Sequence, residues 1–402
     1  MTRRRLTWLP LAAALMACGS GADRAPHERS AGAPAAGSAP ASTSPAAASA
    51  AATFPLRTEG TRFITAAGTP FEWRGITAFR LAEMIAGGRE SDAVAYLDWA
   101  RTEQLTVVRV LLMAKHLFEL SPQAGRAALP RLLELAKARG LAVEAVAFAD
   151  TKEYAFDLEA HVREIGRIAD EHGNAFVEIA NEPGHPTQDD RLHDPAFVQR
   201  LAALLPERLV VALGSIEYAE GYGGGDYITM HPDRGSAPWD HVLALADAAL
   251  RWTPLQKPVV SDEPIGAAQQ FEAGRRDNEP ARFAAAAALT ALAGMGATFH
   301  YEGGLQARIP QGREAACLAA WQLGLALVRD ARPGGAFVTG EQIAGIARVS
   351  GARAVFARTA ERRAVILLVD PQKPAVQWGD GWAEERRSGV PGMLLITAAA
   401  KP

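Results

Sequence analysis

Two glutamates stand at the ends of short apolar runs. Glu182 closes Phe176-Val177-Glu178-Ile179-Ala180-Asn181-Glu182-Pro183, and Glu263 closes Lys257-Pro258-Val259-Val260-Ser261-Asp262-Glu263-Pro264. Runs of this length, stopped by proline, predict buried strands. Carboxyls on two separate buried strands can be held rigidly across one cleft, and acid-assisted cleavage of a glycosidic bond needs such a pair. Other chemistries find no footing in the chain. It contains no His-x-His, no His-Glu-x-x-His, no Gly-x-Ser-x-Gly and no phosphate loop. The 9 histidines make no metal-ligand spacing, so neither a metal nor an organic cofactor is expected.

The elements that must carry these glutamates alternate from residue 54 onward. Strand-like runs at 71–76, 106–113, 141–149, 176–180, 209–213, 227–231, 258–261 and 297–301 are separated, in most cases, by amphipathic helical segments. Gly140 and Gly173 stand in helix-stop positions. A glycine- and tyrosine-rich stretch, 215–225, replaces most of the fifth helix. Eight strands with helices between them predict an α/β fold, a (β/α)8 TIM barrel over residues 54–333. The rival, an open doubly wound sheet, needs a glycine-rich turn after its first strand, and Gly75-Ile76-Thr77-Ala78-Phe79 is not one. Glu182 then ends the fourth strand and Glu263 the seventh, nearly opposite each other at the barrel mouth. Beyond residue 334 the rhythm becomes purely strand-like, which predicts a small β-rich C-terminal appendage, 334–402, packed on the barrel.

Here the chain resembles a known family. Asn181-Glu182-Pro183 after the fourth strand, with Glu263 after the seventh, is similar to clan A glycoside hydrolases, particularly the cellulase-like glycoside hydrolase family 5. Phe71-Glu72-Trp73-Arg74-Gly75-Ile76 resembles that family's first strand, Val108-Arg109-Val110 its second and Met230-His231 its sixth. The resemblance spans roughly residues 60–330. It implies a retaining double displacement, with Glu182 as acid/base, its pKa raised by burial, and Glu263 as nucleophile. It further implies that Asn181 binds the sugar 2-hydroxyl, that Arg109 aims and ionises Glu263, and that His231 lines the site. Three positions depart from the pattern: Asp233 stands where a tyrosine is usual, Asp150 where a histidine is usual, and His300-Tyr301 where a tryptophan platform is usual. Asp262 beside Glu263 is a further oddity, read here as a solvated turn residue. The plainer alternatives are an ordinary buried ion-pair partner for Arg109, the lesser of its two readings, and for His231 a histidine that satisfies backbone groups. Tyr222, Tyr227, Trp239 and Tyr301 are either sugar platforms or core, Tyr301 being retained as a substrate contact.

The formal charge of −3 over 402 residues lacks the basic excess of a nucleic-acid binder. At the N-terminus Arg3, Arg4 and Arg5 precede an apolar run too short to span a bilayer in the mature protein. The run ends in Leu15-Met16-Ala17-Cys18-Gly19, which resembles a bacterial lipoprotein signal. That resemblance implies loss of residues 1–17, acylation of Cys18 and an exported protein anchored to a membrane. Residues 18–53, rich in Ala, Ser, Pro and Gly, then form a flexible tether with a reach of roughly 30 Å. The remaining cysteine, Cys317, has no partner for a disulfide within the mature chain and reads as a small buried hydrophobe. The expectation is a monomer whose partners are a carbohydrate substrate and a membrane. The rival expectation is a noncatalytic glycan-binding lipoprotein on a degenerate barrel.

Overall fold

The computed structural model describes residues 53–214 and 220–401. The signal segment, Cys18 and the tether lie outside the described residues, as do positions 215–219. Eight parallel strands form the central sheet: β1 (Arg74–Thr77), β2 (Val107–Leu111), β3 (Ala142–Phe148), β4 (Ala175–Ala180), β5 (Val210–Ala212), β6 (Ile228–Met230), β7 (Val259–Ser261) and β8 (Gly296–Phe299). Their order is β5-β4-β3-β2-β1-β8-β7-β6. The sheet curls until β5 meets the residues that lead into β6, and the two shorter bonds across this seam involve Asp226. The Asp226 N–H donates to the Val211 carbonyl at 2.7 Å and the Asp226 carboxylate accepts from the Val211 N–H at 2.9 Å. The expected (β/α)8 barrel is therefore present.

Besides a short helix, Leu81–Ala86, the described residues hold seven longer ones: α1 (Glu90–Thr102), α2 (Pro122–Lys137), α3 (Leu158–His172), α4 (Pro195–Ala202), α5 (Asp240–Trp252), α6 (Pro280–Ala293) and α7 (Gly312–Ala331). Their ends follow local chemistry. The Ser121 hydroxyl accepts from the Ala124 N–H and opens α2, with Pro122 at the first helical position. The Asp157 carboxylate accepts from the Glu159 and Ala160 N–H groups and opens α3, which Gly173 closes at φ 73°. Between β5 and β6 the described residues hold only a single 3-10 turn, Glu220–Tyr222.

Successive inward residues along the strands fill the barrel in layers. Phe63, from an N-terminal hairpin (Arg57–Glu59 with Arg62–Ile64), packs at the bottom with Trp73, Val107, Ala142, Phe176, Val210, Tyr227 and Val260. The C-terminal sheet contains β9 (Ala336–Thr339), β10 (Ala347–Ala360), β11 (Arg363–Trp378), β12 (Trp382–Val390) and β13 (Met393–Ala400), all antiparallel. Its inner face sets Phe356, Val365, Leu367 and Leu395 against Leu289 and Leu292 of α6 and Val328 of α7. Its other face closes over a second core that includes Val349, Val355, Ile366, Leu368 and Ile396.

Candidate active site

Glu182 and Glu263 converge at the C-terminal mouth of the barrel, where (β/α)8 proteins place their chemistry. A carboxylate oxygen of each lies within 4.8 Å of the other and of a ring nitrogen of His231. Glu182 is half-buried, and its backbone holds φ 45°, a left-handed conformation that costs energy in a residue other than glycine. The turn that carries it is pinned on both sides. The Asn181 N–H donates to the Phe148 carbonyl at 2.9 Å, and the Asn181 carbonyl accepts from the Gln188 amide at 2.5 Å. Gly214, at the end of β5, lets this turn pass, since a Cβ there would lie 1.8 Å from the Ala180 carbonyl oxygen.

Arg109 is fully buried on β2 and anchors the Glu263 side. Its Nη1 donates to Glu263 Oε2 at 2.9 Å and its Nη2 to Asn181 Oδ1 at 2.9 Å and Glu178 Oε2 at 2.8 Å. Its Nε lies 3.1 Å from Glu178 Oε2 and 3.1 Å from Asp262 Oδ2. Burial works against the Arg109 charge, but Glu178, Asp262, Glu263 and Glu144 outweigh it and keep the guanidinium firmly protonated. Burial also opposes ionisation of Glu263. His231, His300, Arg109 and Arg234 overcome that penalty and hold the carboxyl well below the usual range. Arg234 reaches Glu263 Oε1 at 3.5 Å and its carbonyl at 3.3 Å. It thus makes the contact missing at Asp233, which turns outward and caps the Gly235 N–H.

On the other side, His231 Nδ1 and Glu182 Oε1 are 3.0 Å apart. Burial disfavours a charged His231, yet Glu263, Asp262 and Glu182 together raise its pKa well above the ordinary value. Burial would likewise raise Glu182, but the hydrogen bond and charge of His231 bring it below the ordinary value. The expectation of a raised Glu182 is not met: the imidazole, one hydrogen bond away, favours the ionised carboxylate.

The remaining expected residues fall on both sides of the line. Asn181, Arg109 and His231 join the cluster. Tyr301 does not: it is fully buried, with its hydroxyl donating to the Arg308 carbonyl at 2.5 Å and paired with Tyr96 at 2.9 Å, so it is a core residue. Tyr222 and Tyr227 are also core, and Trp239 sits between Arg282 and Arg353. Asp262, read as a solvated turn residue, is completely buried and accepts the Met230 N–H at 3.1 Å. Asp150 is spent on the Lys115 and His116 N–H groups at 2.9 and 3.0 Å.

Four contributors escaped the sequence reading: Glu144, Glu178, Arg234 and, in its contact with Glu144, Tyr227. The signal for two of them was present, since Glu144 and Glu178 each interrupt a wholly apolar run, and a buried charge there demands a partner. Glu178, His231 and Asp262 bring three ligand atoms within 4.8 Å, the geometry of a cation site. The Arg109 guanidinium already occupies the cation position there, in contact with two of the three carboxyl-bearing or imidazole ligands.

No family model matches the chain, and no curated protein matches it in sequence. Solved structures do match in fold. A candidate glycoside hydrolase from Bacteroides vulgatus superposes with a TM-score of 0.59 at 13% identity, over 86% of this chain and 82% of that one. A second glycoside hydrolase gives 0.56 at 12% identity, over 86% and 97%. A β-glucanase from Saccharophagus degradans, solved with cellotetraose, gives 0.53 at 11% identity, over 69% and 94%. The likeness is one of fold: a (β/α)8 barrel that superposes on those of these glycoside hydrolases.

Proposed function

We propose that this protein is a retaining β-glycoside hydrolase. The observation that carries the proposal is the pair Glu182/Glu263, just past the ends of β4 and β7 with oxygens within 4.8 Å, a span suited to a nucleophile rather than to an intervening water. Glu263, kept ionised and aimed by Arg109, attacks the anomeric carbon. Glu182 gives its proton to the leaving oxygen as the glycosidic bond breaks. Water then attacks the glycosyl ester, Glu182 takes the proton from that water, and the Glu263 carboxylate is restored.

Glu182 obtains its proton from His231. A sugar in the cleft removes water from Glu182, which penalises its charge and draws the shared proton from His231 Nδ1 to Glu182 Oε1. Loss of the Glu263 charge in the glycosyl ester removes a main support of the His231 cation, so the imidazole stays neutral until Glu263 is released. With Oδ1 of Asn181 engaged by Arg109, its Nδ2 is the group offered to the sugar 2-hydroxyl.

The substrate is an oligo- or polysaccharide outside the cytoplasm. Acylation of Cys18 anchors the protein to the membrane and the tether lets the barrel reorient. Replacing Cys18 with serine should move the protein to the soluble fraction of a bacterial host. The enzymatic reading is tested on β-mannan, β-glucan, xylan and aryl β-glycosides, with the anomer of the first product followed by NMR. The β-anomer is expected, and an α-anomer would exclude double displacement. The glycan-binding alternative draws on the 3.0 Å contact between His231 Nδ1 and Glu182 Oε1, which favours an ionised Glu182. Binding across the panel without any bond cleavage would establish it instead.

A further inference from the structure

Beneath the catalytic pair lies a sealed layer with more carboxyls than cations. Glu144, Glu178, Asp262 and Arg109 are all completely buried, and His231 above them is nearly so. The charged and titratable groups facing one another here are Arg109 from β2, Glu144 from β3, Glu178 from β4, Tyr227 and His231 beside β6, and Asp262 and Glu263 after β7. The Arg109 donors go to Glu178, Glu263 and Asn181. Glu144 receives none: its Oε2 stands 3.6 Å from Arg109 Nε, beyond a hydrogen bond. Tyr227 supplies one donor to Glu144, through its hydroxyl to Oε1 at 2.9 Å.

Two sealed oxygens are left over. Glu144 Oε2 and Asp262 Oδ2 have no hydrogen-bond partner among the described residues. Both face the same atom, Arg109 Nε, at 3.6 and 3.1 Å. Two acceptors without donors in an interior closed to bulk solvent are costly, and one proton between them removes both deficits.

We propose that Glu144 is a positioning residue: it carries a proton on Oε2 and donates it to Asp262 Oδ2, so that Asp262 steadies Arg109 and Arg109 aims Glu263. Of the sealed carboxyls, Glu144 is the one that gains least from the guanidinium. Burial, together with the charges of Asp262 and Glu178, also pushes it well above the usual carboxyl range. The acid–carboxylate pair explains why an aspartate can stand beside the nucleophile without forcing it to hold a proton. The extra negative charge of Asp262 is shared between the Glu144 O–H, the Met230 N–H and Arg109.

The positioning role rests on the reading of Glu263 as nucleophile, whereas the proton itself does not. Infrared difference spectra of the full-length protein and the Glu144→Gln variant should show a buried protonated carboxyl in the former, constant from pH 5 to 8 and absent from the variant. Absence of that band in the unsubstituted protein would overturn the proposal. Glutamine supplies an N–H donor in place of the O–H, so Glu144→Gln should keep kcat/KM within about threefold. Glu144→Leu has no donor. It should lower kcat about tenfold at unchanged KM and move the acidic limb of the pH profile upward, as Glu263 loses its alignment. Equal impairment of the two variants would refute the positioning role even with the band present. A band in a protein that cleaves no glycoside would leave the proton in place and remove the hydrolase reading.

Discussion

At the bottom of the barrel Phe63, Trp73, Phe176 and Tyr227 meet with ring centroids 4.7 to 5.7 Å apart. Two residues further along the same strands, Val107 gives way to Arg109, Ala142 to Glu144, Phe176 to Glu178 and Val260 to Asp262. Both layers are sealed from water, but only the lower one gains from that. Aromatic burial stabilises the fold directly. Burial of ions does not, and a buried network of this kind is at best neutral for stability. The upper layer is therefore to be understood by what it aims, Glu263 and Asn181, and the lower layer by what it holds closed. Tyr227 belongs to both, with its ring among the aromatics and its hydroxyl on Glu144.

Four substitutions or titrations can break or sharpen this contrast. Glu263→Ala should reduce hydrolysis by a factor on the order of 10³ or more, with a melting temperature close to that of the unsubstituted protein. A large fall in melting temperature would mean that Glu263 serves the fold instead. Arg109→Met should impair both properties. Removing the one sealed guanidinium leaves Glu178 and Asp262 uncompensated, at about 3–5 kcal/mol by denaturant titration, and activity should fall with it. Phe176→Ala, in the lower layer, should cost about 3–4 kcal/mol while leaving kcat per folded molecule unchanged. A changed kcat would show that the layers are not separable.

The smallest effect is a slope. Burial raises the Glu178 carboxyl from 4.5 to about 7, against the pull of Arg109. The folded protein then binds a proton that the unfolded chain has released. The stabilisation is present in full below 4.5 and is lost as pH rises through about 7. His231, raised well above 6.5, acts in the same direction. Melting temperature should decline from pH 5 to 8, and Glu178→Gln should flatten that decline. A profile as steep in the variant as in the parent would assign the titration to another group.

The framework of the barrel was legible because hydrophobic runs and helix stops are local signals. The strands that lead to Glu182 and Glu263 fall within a residue or two of their expected positions. Strand β12 was not legible: Trp382-Ala383-Glu384-Glu385-Arg386-Arg387-Ser388 is charged and mostly exposed, held by pairing with β13 rather than by burial. Strands β10 and β11 run on past their apolar parts through Gly351, Pro371 and Pro374, where composition alone predicts turns. Within the site, motif residues could be named one by one. Which of two adjacent acids faces inward depends on the phase of β7: Val260 points into the barrel, so alternation carries Asp262 inward and leaves Glu263 to the turn beyond. Tyr301, two residues beyond the end of β8, was misplaced because it follows Phe299 to the outer side, where the two rings stack at 5.5 Å.

The central claim, that Glu263 is the nucleophile and Glu182 its acid/base partner, is tested most directly by trapping the glycosyl-enzyme. The protein is incubated with a 2-deoxy-2-fluoro-β-glycoside carrying a good leaving group and matched to a substrate it cleaves, then digested and sequenced by mass spectrometry. The account predicts one glycosyl ester, on Glu263, slow to turn over in the parent and absent from Glu263→Ala. A label on Glu178, Asp262 or any other carboxyl, with Glu263→Ala still active, would contradict it.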